Sequence, residues 1–245
     1  MIINYNKAPF IDGNISKNST MNFLQINHGN IETIEQSFLN IASHLFNDFK
    51  IQVNNHFYRL LDIEFYYFSE GKFDDPYSHR NDLQKETGKW YFHESGLDIT
   101  FGADGNYGGI LIRGIGKVSV EGKRENGFIE YELHGPMNVT KELTRNFHDI
   151  FNASPNAFGL VDISRERLGA LMPEMKILKT NRLGLSVNSK DENGFYQQKP
   201  YRFIGYLENG NHKFKEKERV IKTLVNEGSL EKEAAIKILG YNIAF

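Results

Sequence analysis

Residues 60–79, LLDIEFYYFSEGKFDDPYSH, constrain the fold of this chain more than any other stretch. They open as an apolar strand and then set Glu64 among apolar and aromatic neighbours. With the period-two alternation of a strand, Leu60, Asp62, Glu64 and Tyr66 share one face, and Leu61, Ile63, Phe65 and Tyr67 the other. A carboxylate on a face otherwise directed inward costs free energy unless it is paired, hydrogen-bonded or used. Tyr66 stands beside it, and His79 follows across a loop. A carboxylate, a phenol and an imidazole brought together suit a pocket for a flat polar ligand. On this stretch alone, a buried Glu paired with an Arg is the simpler reading.

The remainder of the chain supplies the elements such a strand needs. Residues 32–49 place Ile34, Phe38, Ile41, Ala42, Leu45 and Phe46 at helical spacing, which predicts an amphipathic helix. Strands are expected at 51–53 and 57–68, turned by Asn54-Asn55, and a long polar loop at 71–89. A hairpin follows, with strands at 97–101 and 110–113 around the Gly-rich tip GADGNYGG, and then a strand pair at 116–120 and 128–133 turned at 125–127. Gly135-Pro136 opens a helix over 138–147, because proline is favoured where a helix starts. Residues 150–175 read as loop with a short helical piece carrying Arg165 and Arg167. Strands at 181–187 and 201–206 come next, then a charged helix and a last helix over 230–239, capped by Ser229 and ended by Gly240. The expectation is an α+β fold: one domain with a curved, mainly antiparallel sheet flanked by helices. It has an N-terminal arm at 1–30, a body at 31–210 and a C-terminal helical extension at 211–245.

Composition excludes several chemistries. The chain has 245 residues and no cysteine, which removes disulfides, thiolate metal sites and Cys nucleophiles. Its formal charge of -2 implies no overall attraction to polyanions, although a local basic face is what matters for nucleic acid. No apolar run approaches ~18 residues and the first residues lack a leader pattern, so a soluble, cytoplasmic protein without membrane contact is expected. There is no P-loop, no GxGxxG after a strand, no HExxH and no GxSxG. The Gly-rich tip lacks the lysine and following helix of a phosphate cradle and reads as a hairpin turn. Asp74, Asp75 and His79 read as a solvated acidic loop, and neither a metal nor a cofactor is expected.

The order of short motifs carries a resemblance. LLDIEFYYF, SHR, GKWYFHESG with LDITFG, GGILIRGI, GPMNVTKEL, RLGL and FYQQKPYRF resemble, in sequence and rough spacing, the motifs of the alkyladenine (3-methyladenine) DNA glycosylase family, over residues 34–206. The resemblance implies a monofunctional base-excision enzyme that flips a damaged or modified base out of duplex DNA and hydrolyses its N-glycosidic bond. Glu64 falls on the family's catalytic glutamate, which activates water for attack on C1′, and Arg113 on the arginine that helps hold that water. The backbone near Leu183 is expected to complete the water site. Tyr66 and His79 match base-contacting positions, and Phe101, or else Tyr107, matches the wedge that fills the gap left by flipping. Gly135, Pro136, Asn138, Lys141, Arg182 and Lys199 are implied along the DNA backbone, with Arg202 at another basic position.

Three departures stand out. Asp98 occupies the family's second stacking tyrosine position, the segment between Gly102 and Arg113 is shorter, and only Asn106 offers itself as a pocket asparagine. Asp98 suits either a cationic base or hydrogen bonds from an amino or hydroxyl group, so a modified base other than a simple alkylpurine fits the pattern too. Residues 138–182 hold seven Lys or Arg against five acids, and residues 1–80 six against nine, which puts the expected DNA face on the later half. Association with the nucleoid and a monomeric state are the corresponding expectations. Two alternatives remain open: a non-catalytic binder of modified nucleic acid, and a nucleosidase-like hydrolase of the same fold.

Overall fold

The first long helix begins where Asn30 and Thr33 cap each other, the Asn30 side chain accepting from the Thr33 amide and Thr33 Oγ1 from the Asn30 amide. The computed structural model describes residues 22–118, 129–152, 154–163, 173–208 and 212–244. This helix, α1 (Ile31–Asn47), turns Ile34, Phe38, Ile41, Leu45 and Phe46 inward. It stops short of the expected end because Phe49 already belongs to a strand. Of the expected N-terminal arm, residues 1–21 lie outside the described residues. Leu24 is buried and Phe23 stacks on Phe49 at 4.7 Å.

Among the described residues, ten strands form one antiparallel sheet. They are β1 (Phe49–Val53), β2 (His56–Ser69), β3 (Phe73–Asp74), β4 (Trp90–His93), β5 (Gly96–Thr100), β6 (Tyr107–Val118), β7 (Ile129–His134), β8 (Phe158–Asp162), β9 (Lys176–Thr180) and β10 (Arg202–Tyr206). The main path runs β4-β5-β6-β2-β1-β8, and β10 pairs with the middle of β2, at Asp62 to Glu64, where β1 has ended. The sheet curves into a half-barrel around β2, whose register with β6 shifts at Leu60 to Ile63; such a bulge bends a strand and sharpens its twist. The fold is α+β, with a few helices against the curved sheet.

β2 is buried without interruption from Tyr58 to Phe65. Its Ile63, Phe65 and Tyr67 face α1. Phe38 there meets the rings of Phe65, Tyr67, Phe73, Phe101 and Tyr201 at 4.7 to 6.2 Å. The opposite face carries Asp62 and Glu64. Asp62 is neutralised by Arg202, which donates from Nε and Nη2 to its two oxygens at 2.9 and 2.8 Å. Arg59, also buried, donates to the carbonyls of Phe46 and Pro173. α2 (Pro136–Arg145) packs Val139 and Leu143 into the main core.

Several expectations change. The segment expected as a strand at 181–187 is loop, and the strand lies upstream at β9, because Gly184 takes a left-handed φ of 73° that a strand does not admit. β8 arises inside the expected loop by pairing with β1 across more than a hundred residues, a partnership no local pattern announces. Arg165, Arg167 and the turn at 125–127 fall outside the described residues. Ser229 does not cap the last helix: its amide donates to Leu224 O, closing α3 (Lys217–Asn226) around Gly228 at φ 71°. α4 (Lys232–Leu239) starts instead after Glu231. α3 and α4 share one apolar cluster with Leu178, Ile204 and Tyr206, so the C-terminal extension caps β9 and β10.

Phe38→Ala is expected to destabilise the protein by about 3–5 kcal/mol in urea unfolding, since the vacated space is walled by rings that cannot collapse together.

Candidate functional site

Strand register assembles the site. Directly opposed residues of neighbouring antiparallel strands project on the same face. Arg202 pairs with Glu64, Glu64 with Leu111, Leu111 with Asp98 and Asp98 with Tyr91, one row across five strands. Two residues along their strands, Tyr66, Arg113 and His93 extend the same face. Two carboxylates, Glu64 and Asp98, therefore stand on either side of Leu111.

Glu64 has 0% exposure. Its Oε1 accepts from the Leu183 amide at 2.7 Å, and Oε2 accepts from the Tyr66 hydroxyl at 2.8 Å and from Arg113 Nη1 at 3.2 Å. Burial pushes its pKa up; the Arg113 charge and the Leu183 amide work against that shift. The Tyr66 phenol is pushed up as well, by burial and by the carboxylate beside it. The three donors line a pocket of about 210 Å³ with Glu64 behind them.

The opposite wall is polar. Asp98 Oδ1 meets His93 Nε2 at 2.9 Å and Asp98 Oδ2 accepts from Gln84 Nε2 at 3.3 Å. The Ser95 amide donates to His93 Nδ1 at 3.3 Å, which leaves the Nε2 proton for Asp98. Tyr91 stacks on His93 at 4.9 Å, and His79 stands edge-on to it at 4.6 Å. Burial and the neighbouring His93 lower the His79 pKa. Gly109 permits the wall: a Cβ there would lie 2.4 Å from Gln84 Nε2 and 2.5 Å from Asp98 Oδ2. Tyr77, Leu185 and Pro136 complete the lining, and Pro136 brings the start of α2 to the pocket.

The structure thus brings Glu64, Arg113, Tyr66, His79 and Asp98 around one pocket, with Leu183 touching the carboxylate directly. Other expected positions lie elsewhere. Phe101 is 2% exposed, with its ring against Phe38, Phe65 and Tyr67, so it does not stand at the surface as a wedge. Alternation explains this: Ile99 and Phe101 face the core, while Asp98 and Thr100 face the other way. Tyr107 lies off the pocket, against Phe68 and beneath Lys85 Nζ, and Asn106 sits with it in a second groove.

Arg182 does not reach solvent: its guanidinium grips Asp75 at 2.6 and 3.2 Å with no side-chain exposure. Lys199 is held by Glu35 at 2.8 Å, and Arg202 by Asp62. Gly135, Asn138 and Lys141 occupy the first turns of α2 and its approach; Asn138 donates to His134 O, and Lys141 is exposed.

Gln84, His93 and Tyr77 escaped the sequence reading. His93 had a local signal, since the tight ESG turn sets it two strand positions beyond Tyr91, the partner of Asp98. Two exposed apolar side chains adjoin lining residues: Met137, next to Pro136, at 43%, and Val187, two residues beyond Leu185, at 90%. Among the described residues no group of three or more His, Asp or Glu is placed to hold a metal ion, and no helix is long and apolar enough to cross a membrane.

Comparison with models of known protein families found no match, and no curated protein is similar enough to match the chain.

Because the folded Glu64 pKa lies above its unfolded value, the folded state holds this proton more tightly. Its contribution to stability is therefore present below the unfolded value and is lost as pH rises toward the folded one. Glu64→Gln lacks that falling limb. Urea unfolding from pH 4 to 8 is expected to show the variant gaining stability relative to the parent as pH rises.

Proposed function

We propose that the protein is a monofunctional DNA N-glycosylase of the alkyladenine type, acting on a damaged or modified base extruded from a duplex. One observation carries this reading: a carboxylate with no exposed surface stands behind a small pocket, and every group that donates to it lines that pocket. A volume of about 210 Å³ is below the ~300–1,000 Å³ of sites for larger ligands and suits one flat heterocycle.

Breaking an N-glycosidic bond passes through an oxocarbenium-like state, which a carboxylate stabilises while it removes a proton from the attacking water. An ionised carboxylate offers about four acceptor positions. Leu183, Tyr66 and Arg113 fill three, and the remaining one is the place for water once the entering nucleotide widens the gap. Tyr66 and His79 then contact the base, and Asp98, held by His93 and Gln84, offers an acceptor to its polar edge.

Extrusion costs a few kcal/mol and calls for an apolar side chain to occupy the vacated stack. With Phe101 in the core, Met137 and Val187 take that role in this reading, and the first turn of α2 offers its amides to a phosphate. A second reading has its own support. Arg182, Lys199 and Arg202, all basic positions of the resemblance, are engaged in ion pairs with Asp75, Glu35 and Asp62, which favours a hydrolase of free nucleosides.

Alkali-revealed cleavage of duplexes carrying single alkylated adenine, hypoxanthine or modified pyrimidine residues separates the two. The glycosylase reading expects excision of at least one lesion, reduced roughly 10²–10⁴-fold in Glu64→Gln. No excision from any duplex, with base release from a free nucleoside, overturns it in favour of the second reading. Met137→Ala with Val187→Ala is expected to slow excision from duplex while sparing the same lesion in single strands.

A further inference from the structure

We propose that Arg182 is a positioning residue: it clamps the loop behind the pocket so that the Leu183 amide and the Tyr66 ring hold the Glu64 carboxylate in its working geometry. The inference rests on the reading of Glu64 as the reacting carboxylate. Arg182 itself does not line the pocket. Its Nη1 donates to Asp75 Oδ2 at 2.6 Å and to the carbonyl of Phe65 at 3.0 Å, the residue that follows Glu64. Its Nη2 donates to Asp75 Oδ1 at 3.2 Å and to Tyr196 O at 3.1 Å.

The guanidinium carbon lies 4.6 Å from the centre of the Tyr66 ring, 5.3 Å from Tyr77 and 5.4 Å from Tyr201. One planar group thus ties together β2 beside Glu64, the loop after β3 and the short helix Phe195–Gln198 before β10. The next residue in the chain is Leu183, whose amide reaches Glu64 Oε1. Two of the three donors to the carboxylate are set by this one side chain. Beyond it the loop is held by hydrogen bonds from Tyr77 to Ser186 O and from Gln197 to Leu185 O, so the clamp acts on a segment already anchored downstream.

Lysine keeps the charge but cannot span four acceptors in a plane. In Arg182→Lys the Leu183 amide drifts from Oε1, and the ionised carboxylate loses a donor that favours it. The other groups facing Glu64 are Asp62 and Tyr66 on its own strand, Arg113 on β6, Arg202 on β10 and Asp98 along the row on β5. All of them remain in the variant.

The test is the carboxyl titration of Glu64 by carbon NMR on protein labelled in its glutamate side chains, with Glu64→Gln assigning the signal. Arg59→Lys, which alters a buried arginine bound to Phe46 O and Pro173 O, is the control. The Glu64 midpoint is expected to move up in Arg182→Lys and stay in place in Arg59→Lys. Excision by Arg182→Lys at neutral pH is expected to fall on the order of 10²-fold and to recover as pH rises, with KM unchanged.

A midpoint in Arg182→Lys equal to the parent's overturns the proposal. If that variant does not fold, Asp75→Asn loosens the same clamp from its other side, and an unmoved midpoint there overturns it equally. A moved midpoint in a protein that excises nothing supports the clamp and removes the glycosylase reading.

Discussion

The carboxylate of Glu64 sits in the middle of the central strand with no surface open to solvent, and the surrounding structure answers that cost. An ionised carboxylate in an apolar interior is tolerable only when it is hydrogen-bonded and paired, and the penalty for a missing partner exceeds the gain from a present one. The partners come from three places: Tyr66 two residues along the strand, Arg113 on the neighbouring strand, and Leu183 on a loop more than a hundred residues away. The loop must therefore be placed accurately, and the buried Asp75–Arg182 pair places it. The raised pKa of Glu64 shows that the donors do not fully offset burial. Carboxyls perturbed by burial beside a specific charge partner cluster at functional sites.

The same face carries a second cost, accepted in a different way. Asp98 lies one strand beyond Leu111 and is satisfied by His93 and Gln84, both of which line the pocket. The pocket consequently has two unlike walls, a carboxylate braced by an arginine and a phenol on one side, and a carboxylate braced by an imidazole and an amide on the other. α1 and the aromatic cluster around Phe38 lie on the opposite face of β2, so the core that stabilises the fold and the groups proposed to do chemistry are separated by one sheet.

Much of this was legible in the chain. Alternation along 60–67 places Glu64 and Tyr66 together, and the strand that carries Arg113 is marked by its apolar run. What escaped has physical causes. A sequence states that Arg182, Lys199 and Arg202 are basic, but whether a basic side chain meets solvent or an acid depends on where Asp75, Glu35 and Asp62 arrive, and each arrives from far along the chain. Phe101 was readable as a core residue by parity with Ile99, and its expected place as a wedge came from the resemblance alone. The strand at β8 and the loop at 181–187 depend on pairing partners and on one left-handed glycine, features that local propensity does not carry.

The most direct test of the central claim, that Glu64 stabilises positive charge at the sugar of an extruded nucleotide, is the affinity for a duplex in which a cationic pyrrolidine replaces one deoxyribose. Fluorescence anisotropy would compare this duplex with one carrying a neutral tetrahydrofuran at the same place, for the parent and for Glu64→Gln. The parent is expected to prefer the cationic duplex by at least about 10²-fold, as a transition-state mimic should be preferred, and the variant to show no preference. Equal affinity of the parent for the two duplexes, or a preference that survives the loss of the carboxylate, would contradict the claim.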